Sequence, residues 1–288
     1  MSITRISQLI TPQEMKIGQG FSANHFNEDA FGGLMDPVVM LDHFHMTAPT
    51  FAPHPHAGIS AVTLMFEDAG GAHMNYDSIG NIGPIKPGDL HWMVAGRGVV
   101  HTEQPEGDGF HVHALQIFVN LPSDKKFIDP YAIHVDAQDI PVFQTSAVRV
   151  RVAAGETNGV RSPAVLPEPF TLLDGFLKPG GTFNHTVPSG WNVTWYAVSG
   201  EVRLVIDGEP QTIPEGMALS VAAGDSDIPI STASGQDAHF VVLSGPALNE
   251  PIVKHGPFVM NTPQQIQQVV AAYAEGKMGQ LTLPAPGQ

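Results

Sequence analysis

Two short stretches carry side chains that can hold a metal: "HPH" at residues 54–56 and "HTE" at 101–103. Each adjoins an apolar run that reads as a strand, "ISAVTLMF" after the first and "VV" before the second. Side chains at i and i+2 of a strand leave the same face. His54 with His56, and His101 with Glu103, therefore present their ligand atoms in pairs. The residues between the pairs suffice for roughly three or four strands with their turns, enough to return the second pair beside the first. If both pairs face inward, three imidazoles and one carboxylate meet. That donor set suits a divalent ion, iron, nickel, manganese, copper or zinc, and leaves two positions open on a six-coordinate metal. The sequence has no cysteine, which excludes disulfides, thiolate metal sites and thiol catalysis.

Two further H-x-H pairs read differently. His43 and His45 in "DHFHM" follow the strand-like "PVVML" and read as a strand end entering the Pro-rich loop "TAPTFAP". His111 and His113 begin the strand-like "HVHALQIFVNL" and share a face. Both pairs are candidates for the wall of a pocket, not for ligands. Phe44, Phe51, Trp92 and Phe118 are apolar neighbours able to flank an aromatic substrate, although each one singly reads first as core. Arg97, between Gly96 and Gly98, reads as a turn residue.

The elements that must position these residues are β-strands. Thirty glycines and 25 prolines break the chain into short apolar or alternating runs, the pattern of an all-β protein. The rhythm occurs twice, predicting an N-terminal metal-binding domain over 1–134 and a second β domain over 135–288, joined in "DPYAIHVDAQDIPVF". One helix is predicted at the end, in "NTPQQIQQVVAAYAEGK", with Thr262 as N-cap, Pro263 in its first turn and Gln265 closing a capping box. Ile266, Val269, Val270 and Tyr273 form its apolar stripe and Gly276 ends it. In the second half His185 and His239 stand alone, which predicts a metal-free domain with structural histidines.

A formal charge of −15, with no basic cluster beyond "DKK", disfavours direct contact with nucleic acid or anionic lipid. No run approaches the roughly 18 apolar residues of a membrane span, and the start lacks the features of a signal peptide, so a cytoplasmic location is expected.

"HPHAG", "GPIKPGDLHWMVAGRGVVHTEQP", "LQIFVNLP" and "LNEPIVKHGPFVMNT" together resemble the pirin family of the cupin superfamily, over nearly the whole chain. The resemblance implies a bicupin: two jelly-roll β-barrel domains and a short C-terminal helix, with one metal, Fe(II) before other divalent ions, on His54, His56, His101 and Glu103. Some members cleave the flavonol quercetin with dioxygen, and at least one is a nuclear transcription cofactor. Ala57 stands where the family usually carries arginine, Ser60 where it carries glutamate, and "MNYDSIGN" replaces a more acidic segment; none of these removes a ligand. The expected function is thus a quercetinase-like, metal-dependent dioxygenase acting on a flavonol-like substrate, with Glu103 both ligand and general base. The alternatives are a non-enzymatic, metal-binding protein that responds to redox state and meets a protein partner, or a cupin isomerase without redox chemistry.

Overall fold

The computed structural model describes residues 4–105 and 110–281. Within them the chain is mostly β-strand, and its one α-helix is Pro263–Ala274. That helix is neither long nor apolar enough to cross a membrane.

The strands gather into two compact units, each with one seven-stranded and one four-stranded antiparallel sheet. The metal-ligand candidates lie in the unit built from 14–23, 41–137 and the chain from Asn249 on, called here the histidine unit. Its larger sheet runs in the order Tyr131–Val135, Leu90–Val94, Ile59–Met65, Val112–Asn120, Val38–Met46, Phe21–Asn27, Gln13–Ile17. Its smaller sheet runs His54–His56, Val99–Pro105, His73–Asp77, Ile82–Ile85. The other unit takes the chain up to Gln13, 24–40 and 138–248. The units are therefore interleaved in sequence and are not consecutive halves. Strand pairing over long separations is the reason: Arg5 and Ile6 pair with Ala222 and Val221, while the terminal helix packs against Ala57, Val100 and Phe258 of the histidine unit.

The helix carries both halves of its capping box, Thr262 accepting from the Gln265 backbone and the Gln265 side chain accepting in return. Its buried stripe is narrower than the sequence suggests. Ile266 and Val269 are covered, but Val270 is 37 % and Tyr273 41 % exposed.

Two devices fix the turn that carries "HPHAG". Gly58 has φ +78°, and a Cβ there would lie 2.0 Å from the Val259 carbonyl oxygen, so only glycine fits. Lys126, fully buried, donates from Nζ to the carbonyls of Gly58 and Val259 at 2.9 Å each and to Asn120 Oδ1. Burial draws its pKa down to about 7.

Candidate metal centre

Strand Val99–Pro105 lies between His54–His56 and His73–Asp77. Register sets His101 opposite His54 on one side and Asp77 on the other, with Val99 opposite His56 and Glu103 opposite Asn75. Directly paired residues share a face of the sheet, so His54, His56, His101, Glu103 and Asn75 all project the same way. Thr63 meets Glu103 from the larger sheet, which makes this the interior face of the unit. Thr63 itself pairs with His91 on one neighbouring strand and Gln116 on the other, a polar row facing the smaller sheet.

The structure brings three of the four predicted ligands together. The ligand nitrogens of His54, His56 and His101 lie within 4.8 Å of one another. Their ring centroids are 4.7 Å apart for His54–His101, 4.9 Å for His56–His101 and 5.0 Å for His54–His56. His54 Nδ1 sits 2.9 Å from the Ala52 carbonyl; donating there, the ring keeps its Nε2 lone pair for a metal. Burial lowers the pKa of His54. Burial and then the neighbouring His54 push His56 down to about 3, and burial, then His56 and His54, hold His101 well below the ordinary range. All three rings are neutral at pH 7, with lone pairs available.

Glu103 is not a member of this close group. Its carboxylate is turned toward Thr63, whose hydroxyl lies 3.1 Å from each oxygen, and His73 Nδ1 stands 3.9 Å from Oε2. Burial raises its pKa to about 7, the Thr63 bond pulling the other way.

The residues present fit a divalent ion. Three unprotonated imidazoles converge, and His101 Nδ1 is buried without a hydrogen-bond partner. An unsatisfied buried group of this kind costs about 1–3 kcal/mol, a penalty that ordering around a bound ion offsets. Thr63, His73, His91 and Gln116, which complete this interior, escape a sequence reading. None belongs to an H-x-H or H-x-E pair, and only strand register places them here. Burial lowers both His73 and His91 to about 4.

The remaining expectations divide. Phe118 packs edge-on to His56 at 4.9 Å and Phe51 lies 6.3 Å from His54, so both border the group. Phe44 belongs to an apolar core with Phe21, Met65 and Val112, 5.8 Å from His73. Trp92 alternates with His91 and so faces away from the interior row, 1 % exposed. It does not flank the site. A cavity of about 430 Å³ lined by Phe51, Tyr76, Thr102 and Gln104 opens on the opposite face of strand Val99–Pro105 from His101. Ala57 packs with Val100 and Phe258 on the face opposite His56, and Ser60 is fully buried. Arg97 pairs with Asp129 at 2.6 Å on the surface, away from the group. In the other unit His185 contacts the Thr157 hydroxyl at 3.0 Å, and His239 contacts Asp174, which also binds Arg151 at 2.8 Å.

His43 and His45 lie in the last residues of strand Val38–Met46, which ends just before the Pro-rich loop, as the sequence suggests. They gather with His113 into a second group, and Asp89, His134 and Asp136 into a third. In the third, Asp89 is engaged as a cap, accepting from the backbone amides of Lys86 at 2.8 Å and Ala137 at 2.7 Å.

Family models match both parts of the chain: that for pirin over residues 11–119 and that for the pirin C-terminal cupin domain over 172–279. A pirin-like protein from Solanum lycopersicum is 38 % identical over 246 residues, covering 85 % of this chain and 82 % of that one. Pirin from Homo sapiens is 35 % identical over 246 residues, covering 85 % and 83 %. Among solved structures, a quercetin 2,3-dioxygenase from Acinetobacter baumannii superposes with a TM-score of 0.82 at 29 % identity, over 96 % of this chain and 98 % of that one. Two family models that together span most of the chain, and relatives more than 30 % identical over 85 % of it, show that the chain belongs to the pirin family.

Proposed function

We propose that this chain is a metal-dependent dioxygenase that opens a flavonol-like enol with dioxygen, holding one divalent ion, Fe(II) first, on His54, His56, His101 and Glu103. The observation that carries the reading is the convergence of three imidazoles, His56 and His101 buried and His54 half-buried, beside a carboxyl group whose pKa is drawn up to about 7. When bound, a redox-active ion with open positions supplies the electron exchange with dioxygen that an organic enol lacks on its own. Glu103, poised between acid and base near neutral pH, takes the proton of the substrate hydroxyl. Thr63 orients that carboxylate from across the interior. Phe118, edge-on to His56, gives an aromatic substrate an apolar wall. Similarity to a structure described as a quercetin 2,3-dioxygenase supports the substrate class.

The test is incubation of iron-loaded protein with quercetin, with and without air, following the flavonol absorbance. Loss that needs both metal and dioxygen, with release of carbon monoxide, is expected. The Glu103→Gln variant should keep its metal and lose turnover; activity near the parent level removes the base role. No turnover with any of several flavonols would replace the enzyme reading by that of a metal-binding interaction protein.

A further inference from the structure

We propose that His43, His45 and His113, with His111 beside them, form a second transition-metal site for a borderline divalent ion such as Zn²⁺ or Cu²⁺. This inference does not rest on the dioxygenase reading, and it uses none of the same side chains.

The argument begins with register. Strands Val38–Met46 and Val112–Asn120 are neighbours in the larger sheet of the histidine unit. Phe44, Val112 and Ala114 point into the apolar core on one face. Alternation therefore sends His43, His45, His111 and His113 to the other face, away from Thr63 and the three-histidine group. Two H-x-H pairs on adjacent strands thus form one patch.

The rings are in contact. His43 Nε2 and His113 Nε2 are 2.7 Å apart, as are His45 Nδ1 and His111 Nε2. His45 stacks on His113 with centroids at 4.3 Å and on His111 at 4.8 Å. The ligand nitrogens of His43, His45 and His113 lie within 4.8 Å of one another. Two imidazole nitrogens on one tetrahedral ion stand roughly 3.3 Å apart, given bonds of about 2.0–2.1 Å. Admitting an ion therefore opens each 2.7 Å pair by well under an ångström. Asp68 completes the pattern. Its carboxylate accepts from His113 Nδ1 at 2.8 Å, which fixes the ring, keeps the proton on Nδ1 and aims the Nε2 lone pair at His43.

The chemistry of the donors selects the metal. Imidazole nitrogens without a carboxylate among them suit zinc, copper or nickel, and are poor ligands for calcium or magnesium. His43 is buried at 8 % exposure, His45 and His113 are half-buried and His111 is exposed, so an ion has a route in from the His111 side.

Full-length, tag-free protein stripped of metal would be titrated with Zn²⁺ against a chromophoric chelator. Two equivalents are expected for the parent. His54→Ala/His101→Ala should retain one, and His45→Gln/His113→Gln should lose one. Retention of folding is checked by thermal melting. Because His43 is the most buried of the group, it is left intact. In the His54→Ala/His101→Ala background, Co²⁺ should give the visible absorption of a tetrahedral imidazole site, with no mutation in the patch itself. The proposal is overturned if that background binds no Zn²⁺ and shows no such Co²⁺ band, or if His45→Gln/His113→Gln keeps the parent stoichiometry. Loss of metal by His54→Ala/His101→Ala at the first site alone leaves this second site standing, so the two proposals fail separately.

Discussion

The two β units bury very different interiors. In the unit built around 138–248, the inward positions are Val148, Val150, Val152, Phe183, Trp195, Leu204, Ile230, Phe240 and Val242, all in one apolar cluster. The corresponding space of the histidine unit is bordered by His54, His56, His101, Glu103, Thr63, His91 and Gln116. The first is lined almost wholly by apolar side chains, while Arg151, Asp174 and His239 form a chain of bonds on the other face of its larger sheet. The second gathers buried polar atoms without partners in one place, His91 Nε2, His101 Nδ1 and Asn75 Oδ1 among them, whereas the first carries isolated ones such as His185 Nε2 and Thr232 Oγ1. One architecture therefore serves two purposes. A filled interior stabilises, and an interior that leaves donors and acceptors unmatched gives up stability in the place where a ligand would satisfy them.

The sharpest way to break this comparison is to open the filled interior. Trp195→Ala removes a fully buried indole from the apolar cluster and is expected to lower stability by about 3–5 kcal/mol. Chemical denaturation measures it. Metal content per folded chain should not change. A stability loss under about 1 kcal/mol would mean that this interior is not the tightly packed one described.

Glu103→Gln should do the opposite in metal-free protein. A carboxyl group raised from 4.5 to about 7 binds more protons folded than unfolded between those values. Its contribution to stability is present below pH 4.5 and is lost as the pH rises to 7. The glutamine variant lacks that loss. Its advantage over the parent should grow across this window to about 3 kcal/mol and stay level above it. Melting curves from pH 5 to pH 8 read the difference, and a pH-independent gap would refute the burial assigned to this carboxyl group.

Single imidazoles should separate the units next. His101→Ala is expected to weaken metal binding at the first site by at least roughly 10–100-fold, the range seen when merely a supporting group is lost. His185→Ala in the other unit should leave metal affinity unchanged, because its ring contacts Thr157, Phe183 and Trp195 and has no second histidine beside it among the described residues. Metal analysis after dialysis against a weak chelator compares the two.

The sequence made the three-imidazole group legible for a simple reason. H-x-H and H-x-E on strands share a face by covalent geometry alone, and the antiparallel pairing of His101 with His54 follows from two inward faces. What it hid depends on other strands. The direction of Glu103 toward Thr63, forty residues away, is a choice of rotamer made by the opposite sheet. The gathering of His43 and His45 with His113 comes from the neighbouring of strands Val38–Met46 and Val112–Asn120, which no local pattern shows. The interleaving of the units was likewise invisible, since alternation says which face a residue takes but not which strand it pairs with. The all-β class, the two-fold repeat of the pattern and the capped terminal helix were local and could be read directly.

The smallest expected effect bears on the contact that joins the two sheets of the histidine unit. Thr63→Val keeps the shape of a fully buried side chain and removes the hydroxyl that lies 3.1 Å from both Glu103 oxygens. That hydrogen bond favours the charged carboxylate, so its loss should raise the Glu103 pKa further above 7, by an amount worth about 0.5–1.5 kcal/mol, or at most about one pH unit. In the metal-loaded protein the acidic limb of the turnover profile should move to higher pH by that amount, with kcat at its plateau little changed. A purely structural role for Thr63 would lower stability without moving the limb. Because the apolar interior of the other unit has no such polar contact between its sheets at Trp195 or Phe240, the same Thr→Val change at Thr194, whose hydroxyl is 2.7 Å from Ser220 within one sheet, should leave the profile where it is.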